Sequence, residues 1–250
     1  MGKVYIVGAG PGDPELLTLK AYRLIKSADV VFYDRLVNPQ ILSLAKPQCQ
    51  LVYVGKEDGK HTIEQEKINE LLLHYAHTKE VVVRLKGGDP FIFGRGGEEA
   101  LFLAEMGVEV EVVPGISSAT SVPAYAGIPI TFRGLSSSFA VITGHEDPKK
   151  ERSNIDWESL KGINTLVFLM AVSNRQEIAK KLIKAGRDPK EPVAFIERGT
   201  TRKQRVVITD LYELANDPPE VNPPAVMIVG WVVKLRKYLM QVINKVEVQR

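Results

Sequence analysis

A single cysteine, Cys49, stands among 250 residues, so the chain can close no disulfide within itself. Long apolar runs are missing too. The longest, Ala225 to Val233, is nine residues interrupted by Gly230, whereas a membrane-spanning helix needs about 20. No excess of one charge is present: 33 Lys plus Arg face 30 Asp plus Glu, a net +3 too mild and too evenly spread to mark a nucleic-acid surface. Neither a membrane nor a nucleic acid is therefore expected as a partner. The amino end shows no charged-then-apolar leader before a strand that begins at Lys3, so a cytoplasmic location is expected. Aromatics are few at 7%, but 44% of the residues are hydrophobic, which excludes a disordered chain and suffices for a core without metal or disulfide.

The apolar residues are patterned. β-branched runs at Val4–Val7, Val30–Tyr33, Leu51–Val54, Val81–Leu85 and Val108–Val113 alternate with segments of 3.6-residue period, such as Leu17, Ala21, Leu24, Ile25 and Ala28. This βαβα order implies an α/β fold with a parallel sheet. A helix is predicted over 97–106, ended by Gly107 at its C-cap. Pro114-Gly115 breaks the pattern, and the small-residue stretch 116–127 reads as a helix leading into a second domain. The organisation predicted is an α/β domain over 1–114, an α+β domain with a mixed sheet over 115–240, and a tail over 241–250, with the basic segment from Lys234 expected as a partly exposed terminal helix. In the second half, strands are predicted at 139–143, 165–169, 193–196, 205–209 and 226–229, with a hairpin joining the third and fourth. Two domains would leave a cleft between them.

Two glycine-rich loops follow strand ends, where ligands bind in α/β sheets. The first, Gly8-Ala9-Gly10-Pro11-Gly12-Asp13-Pro14, superficially matches the dinucleotide fingerprint, and Asp34 stands where an acid would meet an NAD ribose. Three features argue against NAD: Asp13 occupies the third glycine position, Pro11 and Pro14 each remove an amide, and an aspartate at the helix head repels phosphate. A nucleoside without pyrophosphate and with a positive charge suits the same geometry, and S-adenosylmethionine is one. Asp34 has a simpler reading as the partner of Arg35 or another surface cation. The second loop, Arg84 to Glu99, carries glycines at 87, 88, 94, 96 and 97 around apolar Phe91, Ile92 and Phe93, more than a simple turn requires.

Taken with Tyr33-Asp34-Arg35-Leu36-Val37, Val113 to Ala119, Gly127 to Gly134, Thr143-Gly144-His145 and Asn222 to Ala225, these loops resemble the tetrapyrrole methylases over about residues 3–235. The resemblance implies two α/β domains with the active site in the cleft between them, a homodimer, and S-adenosylmethionine as methyl donor, released as S-adenosylhomocysteine. It also implies uroporphyrinogen III as substrate, methylated at C2 and C7 to give precorrin-2 for sirohaem or cobalamin, with no metal. By the same resemblance the cofactor meets Pro11, Gly87, Gly88, Asp89, Ile92, Ser117, Ser118, Met170 and Ala225. The tetrapyrrole meets Arg95, Glu98, Arg133 and Met170, and the resemblance puts Arg95, oriented by Glu98, nearest the role of removing the proton after methylation, so Arg95 is expected both to grip the substrate and to help deprotonate it. Three residues depart from the family pattern: Phe132 where His is usual, Ala171 where Gly is usual, and Trp231 where Glu is common. A methylase for a later corrin precursor is the near alternative; a nonenzymatic S-adenosylmethionine sensor is the alternative from another class.

Physical chemistry adds roles to these residues. Arginine suits a substrate rich in carboxylates because its planar fork makes paired, charge-assisted hydrogen bonds. Asp89 can accept hydrogen bonds from the cofactor or cap the turn that follows it. His74 and His77, three apart on a predicted helix, lack a third ligand and read as an exposed face. His145 follows a strand and a glycine, and is expected either to line the cleft or to make a structural hydrogen bond.

Overall fold

The structure is a computed structural model and describes residues 2–55, 65–145 and 153–247. It divides into two compact units, Met1–Ser118 and Ala119–Arg250, the division falling just past the Pro114-Gly115 break.

In the first unit the β-branched runs form β1 (Lys3–Gly8), β2 (Val30–Tyr33), β3 (Gln50–Tyr53), β4 (Val81–Lys86) and β5 (Val110–Val113). All pair in parallel, in the order β3-β2-β4-β1-β5. Side chains alternate across the sheet, so its two faces carry two apolar clusters. Val7, Val31, Val83 and Leu85 pack on Ala21 and Ile25 of α1 (Leu19–Ser27). On the other face Val4, Ile6, Val30 and Val82 pack on α3 (Gln65–Thr78) and on Leu103 of α4 (Gly96–Glu105). Each fully buried Val, Ile or Leu contributes roughly 1.5–3 kcal/mol, which explains why no cross-link is needed. Thr18 starts α1 by accepting the Ala21 amide at 3.1 Å, and α4 gives way to Gly107 at φ 75°.

The short α2 (Pro39–Leu42) escaped the periodicity argument because four residues cannot display a period. Its sequence signal is the cap, with Asn38 accepting the Gln40 amide and proline in the first turn.

The second unit holds β6 (Phe139–Thr143), β7 (Thr165–Leu169), β8 (Pro192–Glu197), β9 (Arg205–Asp210) and β10 (Ala225–Val229), in the order β6-β7-β10-β8-β9. The sheet is mixed, since β6 and β7 are parallel while the other pairs are antiparallel. Its helices are α5 (Ser118–Tyr125), which begins at the division, α6 (Arg175–Lys184), α7 (Leu211–Asn216) and α8 (Arg236–Glu247). One sequence expectation changes here: the helix predicted over 116–127 is shorter, Ser118–Tyr125. The segment 241–250 belongs to α8 as far as Glu247, in line with the terminal helix expected from Lys234. Among the described residues no helix is long and apolar enough to cross a membrane.

Candidate functional site

β1 and β4 are sheet neighbours whose chains leave toward opposite faces, β1 toward α1 and β4 toward α4. The loops beyond them converge through glycine. Gly10 and Gly88 exchange backbone hydrogen bonds, Gly88 N to Gly10 O at 2.7 Å and Gly10 N to Gly88 O at 3.2 Å. A Cβ on Gly8 would fall 2.6 Å from Gly88 O and would collide with Gly115, beyond the end of β5, so three loops meet where only bare backbone fits. Gly10 and Gly88 adopt φ 74° and 68°. The pairing also bears on the NAD fingerprint, because the Gly10 amide that a pyrophosphate would need is already given to Gly88. Asp13 accepts the Glu15 amide and caps the turn after the loop.

Asp89 joins two of these loops. Its Oδ1 accepts the Phe91 amide at 2.8 Å and its Oδ2 the Gly115 amide at 3.0 Å. The capping reading is therefore present together with a brace to the β5 loop. Pro11, Gly87 and Ser118 are half-buried, Ser117 is buried, and Ile92 is exposed between exposed Phe91 and Phe93.

Arg95 precedes the first residue of α4 in the left-handed conformation, φ 58° and ψ 11°. Its guanidinium holds Glu98 by both oxygens, Nε at 3.1 and 3.0 Å and Nη2 at 2.5 Å. The bond holds the Glu98 carboxyl below its ordinary range and pushes Arg95 further above its own. Both side chains are more than half exposed, so the pair faces solvent. Two of the five guanidinium N–H groups are engaged this way and three are left for another acceptor.

Asp34 corrects the sequence reading. Among the described residues its partner is neither Arg35 nor a surface cation but buried Arg84, 3.6 Å away on β4, and its Oδ1 accepts the Leu36 amide. His74 and His77 lie on the exposed side of α3, His74 edge-on to Tyr75.

In the second unit Arg133 is exposed at the tip of a turn closed by Phe132 and Ser136, with Gly134 at φ 80°. Met170, half exposed, takes φ 59° at the end of β7, and half-buried Ala225 opens β10. Ala171 is fully buried and belongs to the apolar cluster that includes Ile142, Phe168 and Ile178. His145 is exposed, its backbone bonded to the Thr143 hydroxyl. Exposed Phe132 lies in the Arg133 turn, and Trp231 carries Lys234 Nζ 4.3 Å from its ring centroid.

The family model described as Tetrapyrrole (Corrin/Porphyrin) Methylases matches residues 3–215. The chain belongs to this family. Among curated tetrapyrrole methylases, the S-adenosyl-L-methionine-dependent uroporphyrinogen III methyltransferase of Methanosarcina barkeri is 52% identical, over 95% of this chain and 94% of its own. The uroporphyrinogen-III C-methyltransferase of Bacillus subtilis is 50% identical, over 93% and 91%. Among solved structures, the uroporphyrin-III C-methyltransferase of Thermus thermophilus complexed with S-adenosylhomocysteine superposes with a TM-score of 0.82 at 50% identity, covering 94% of each chain.

One group of residues in this tetrapyrrole methylase escaped the sequence reading. Arg84 and Lys86 are 4% exposed on β4, and both reach fully buried Glu99 of α4. The signal was present: two cations two residues apart in an otherwise apolar strand must share a face, and that face is covered by α4.

Proposed function

We propose that this tetrapyrrole methylase transfers methyl groups from S-adenosylmethionine to uroporphyrinogen III, at C2 and then C7, giving precorrin-2. The observation that carries the reading is the glycine junction of Gly8, Gly88 and Gly115, with Arg95 and Glu98 presented at the start of the next helix. The names of the relatives from Methanosarcina and Bacillus, and the ligand of the Thermus structure, support the same substrate and cofactor.

The junction fits a nucleoside. Side-chain-free backbone admits close approach, and the Cβ position of Gly88 has only the Ser118 amide nearby, at 3.8 Å. Pro11, Gly87, Gly88, Asp89, Ile92, Ser117 and Ser118 would hold the cofactor, whose sulfonium supplies an activated methyl group. Met170 and Ala225 join this set through the family resemblance alone. Arg95 and Arg133 would grip substrate carboxylates by paired hydrogen bonds and so orient the pyrrole carbon for in-line transfer. Arg95 would stay protonated throughout, because Glu98 stabilises its charge. It therefore holds the macrocycle and is unsuited to take the proton shed after methylation. The shielding that such a transfer needs falls to the apolar Phe91, Ile92 and Phe93. A homodimer in the cytoplasm is part of the same reading.

Anaerobic incubation with S-adenosylmethionine and uroporphyrinogen III, followed by mass spectrometry of the tetrapyrrole, tests it. Two added methyl groups are expected. Cofactor binding with no methyl gain would move the substrate to a later corrin precursor. Absence of binding would overturn the cofactor assignment.

A further inference from the structure

Above the apolar layer that ends at Val82, the α4 face of the sheet turns polar. Arg84 and Lys86 project there from β4, and Glu99 comes down to them from the first turn of α4. One oxygen of Glu99, Oε1, accepts three bonds: from Lys86 Nζ at 2.9 Å, Gln65 Nε2 at 3.1 Å and Arg84 Nε at 3.2 Å. The other, Oε2, is buried with no hydrogen-bond partner among the described residues. Arg84 also faces Asp34, so two cations meet two anions. Burial, reinforced by Arg84, pushes the Lys86 ammonium below its usual range.

Such a cluster is a poor device for stability, since well-packed apolar side chains at the same places often serve as well or better. Its location suggests a different use. Glu99 directly follows Glu98 and lies one helical turn from Arg95, but points into the sheet while those two face solvent. A second fixture acts on the same turn. Pro90 O accepts the Gly96 amide at 3.0 Å, and a Cβ on Gly96 would fall 2.6 Å from that oxygen, so the loop has no slack there. Between these fixtures sit Phe93 and Arg95, at φ 51° and 58°, a backbone region that side-chain-bearing residues occupy only when their surroundings enforce it.

We propose that Glu99 is a positioning residue for the methyl transfer: by tying the first turn of α4 to Arg84 and Lys86, it fixes where Arg95 and Glu98 stand relative to the glycine junction. The inference rests on the reading of Arg95 and Glu98 as substrate contacts.

Two variants separate positioning from mere charge balance. Glu99→Gln leaves Lys86 without its counter-charge. Lys86→Met combined with Glu99→Gln removes that cation as well, leaving Arg84 facing Asp34. For the double variant the expected result is a melting temperature near wild type and S-adenosylmethionine affinity within about threefold. Its kcat falls about 10- to 100-fold, because a displacement of about 1 Å at a reacting site costs on that order. Recovery of wild-type kcat together with stability would overturn the proposal and assign the cluster to charge balance. Turnover falling only in step with melting temperature, in either variant, would overturn it in the same way. Wild-type protein that methylates nothing would overturn the underlying reading and the proposal with it, an outcome visible before any variant is compared.

Discussion

Gly144 and Ala171 stand so close that a Cβ on the glycine would lie 2.6 Å from the alanine Cβ, 2.9 Å from its nitrogen, and closer still to its Cα. The end of β6 is thereby pressed against the turn after β7, and two hydrogen bonds hold it: Gly144 N to Leu169 O at 2.7 Å and Asn174 Nδ2 to Gly144 O at 2.8 Å. Gly144→Ala overpacks this contact and is expected to cost about 1–3 kcal/mol. Adding Ala171→Gly should not restore stability, because the collision is with backbone as well as with the methyl. Thermal melts of the single and double variants check this. Full rescue by the second change would show that only the methyl is in the way.

The strands of the first unit were legible because a parallel sheet covered on both faces writes continuous β-branched runs, as at Val30–Tyr33 and Val81–Leu85. The glycine loops were legible as loops, and the family resemblance supplied candidate partners for them. Partner choice among charged residues was not legible. Asp34 stands beside Arg35 in sequence, yet the geometry of parallel β2 and β4 delivers Arg84 to it instead. Glu98 and Glu99 read alike in the sequence; only the helix phase sends one outward and the other under the sheet. Asp89 shows the same limit, because its bond to Gly115 spans 26 residues that no local pattern connects.

Asp89 accepts two backbone amides from two loops, so its removal should damage stability and cofactor binding together. Asp89→Ala is expected to cost about 1.5–3 kcal/mol for the lost charge-assisted bonds and to weaken S-adenosylmethionine binding about tenfold or more through the freed Gly115 loop. Asp89→Asn, which keeps one accepting oxygen, should fall between. Calorimetric titration with the cofactor is the check. A lowered melting point with an unchanged dissociation constant would confine Asp89 to bracing.

Lys86 predicts a pH dependence of stability. Its folded pKa is depressed below the ordinary 10.5, first by burial and then by Arg84, against the opposing pull of Glu99 and Asp34. Between the folded and unfolded values the unfolded chain binds more protons, so the contribution of Lys86 to stability rises with pH across that window. Lys86→Met removes the titration and should flatten this rise. Urea unfolding of both proteins from neutral pH toward 10.5 compares the slopes; identical slopes would contradict the assignment.

Arg95 offers the most direct test of the grip on substrate. Arg95→Lys keeps the positive charge but loses the fork that holds Glu98 by both oxygens and leaves three donors outward. Turnover should fall at least about tenfold, with KM for uroporphyrinogen III raised, because a single ammonium cannot hold two acceptors in fixed geometry. Glu98 then reports on the loss independently. The Arg95 hydrogen bond depresses its pKa below the ordinary 4.5 in wild type, so the carboxylate stays charged as pH falls through that value. In Arg95→Ala the same carboxyl should titrate back toward 4.5, as followed by carbon NMR of labelled glutamate. Wild-type kinetics in Arg95→Lys, with the Glu98 titration moved only in Arg95→Ala, would leave the ion pair real but deny it any part in binding the tetrapyrrole.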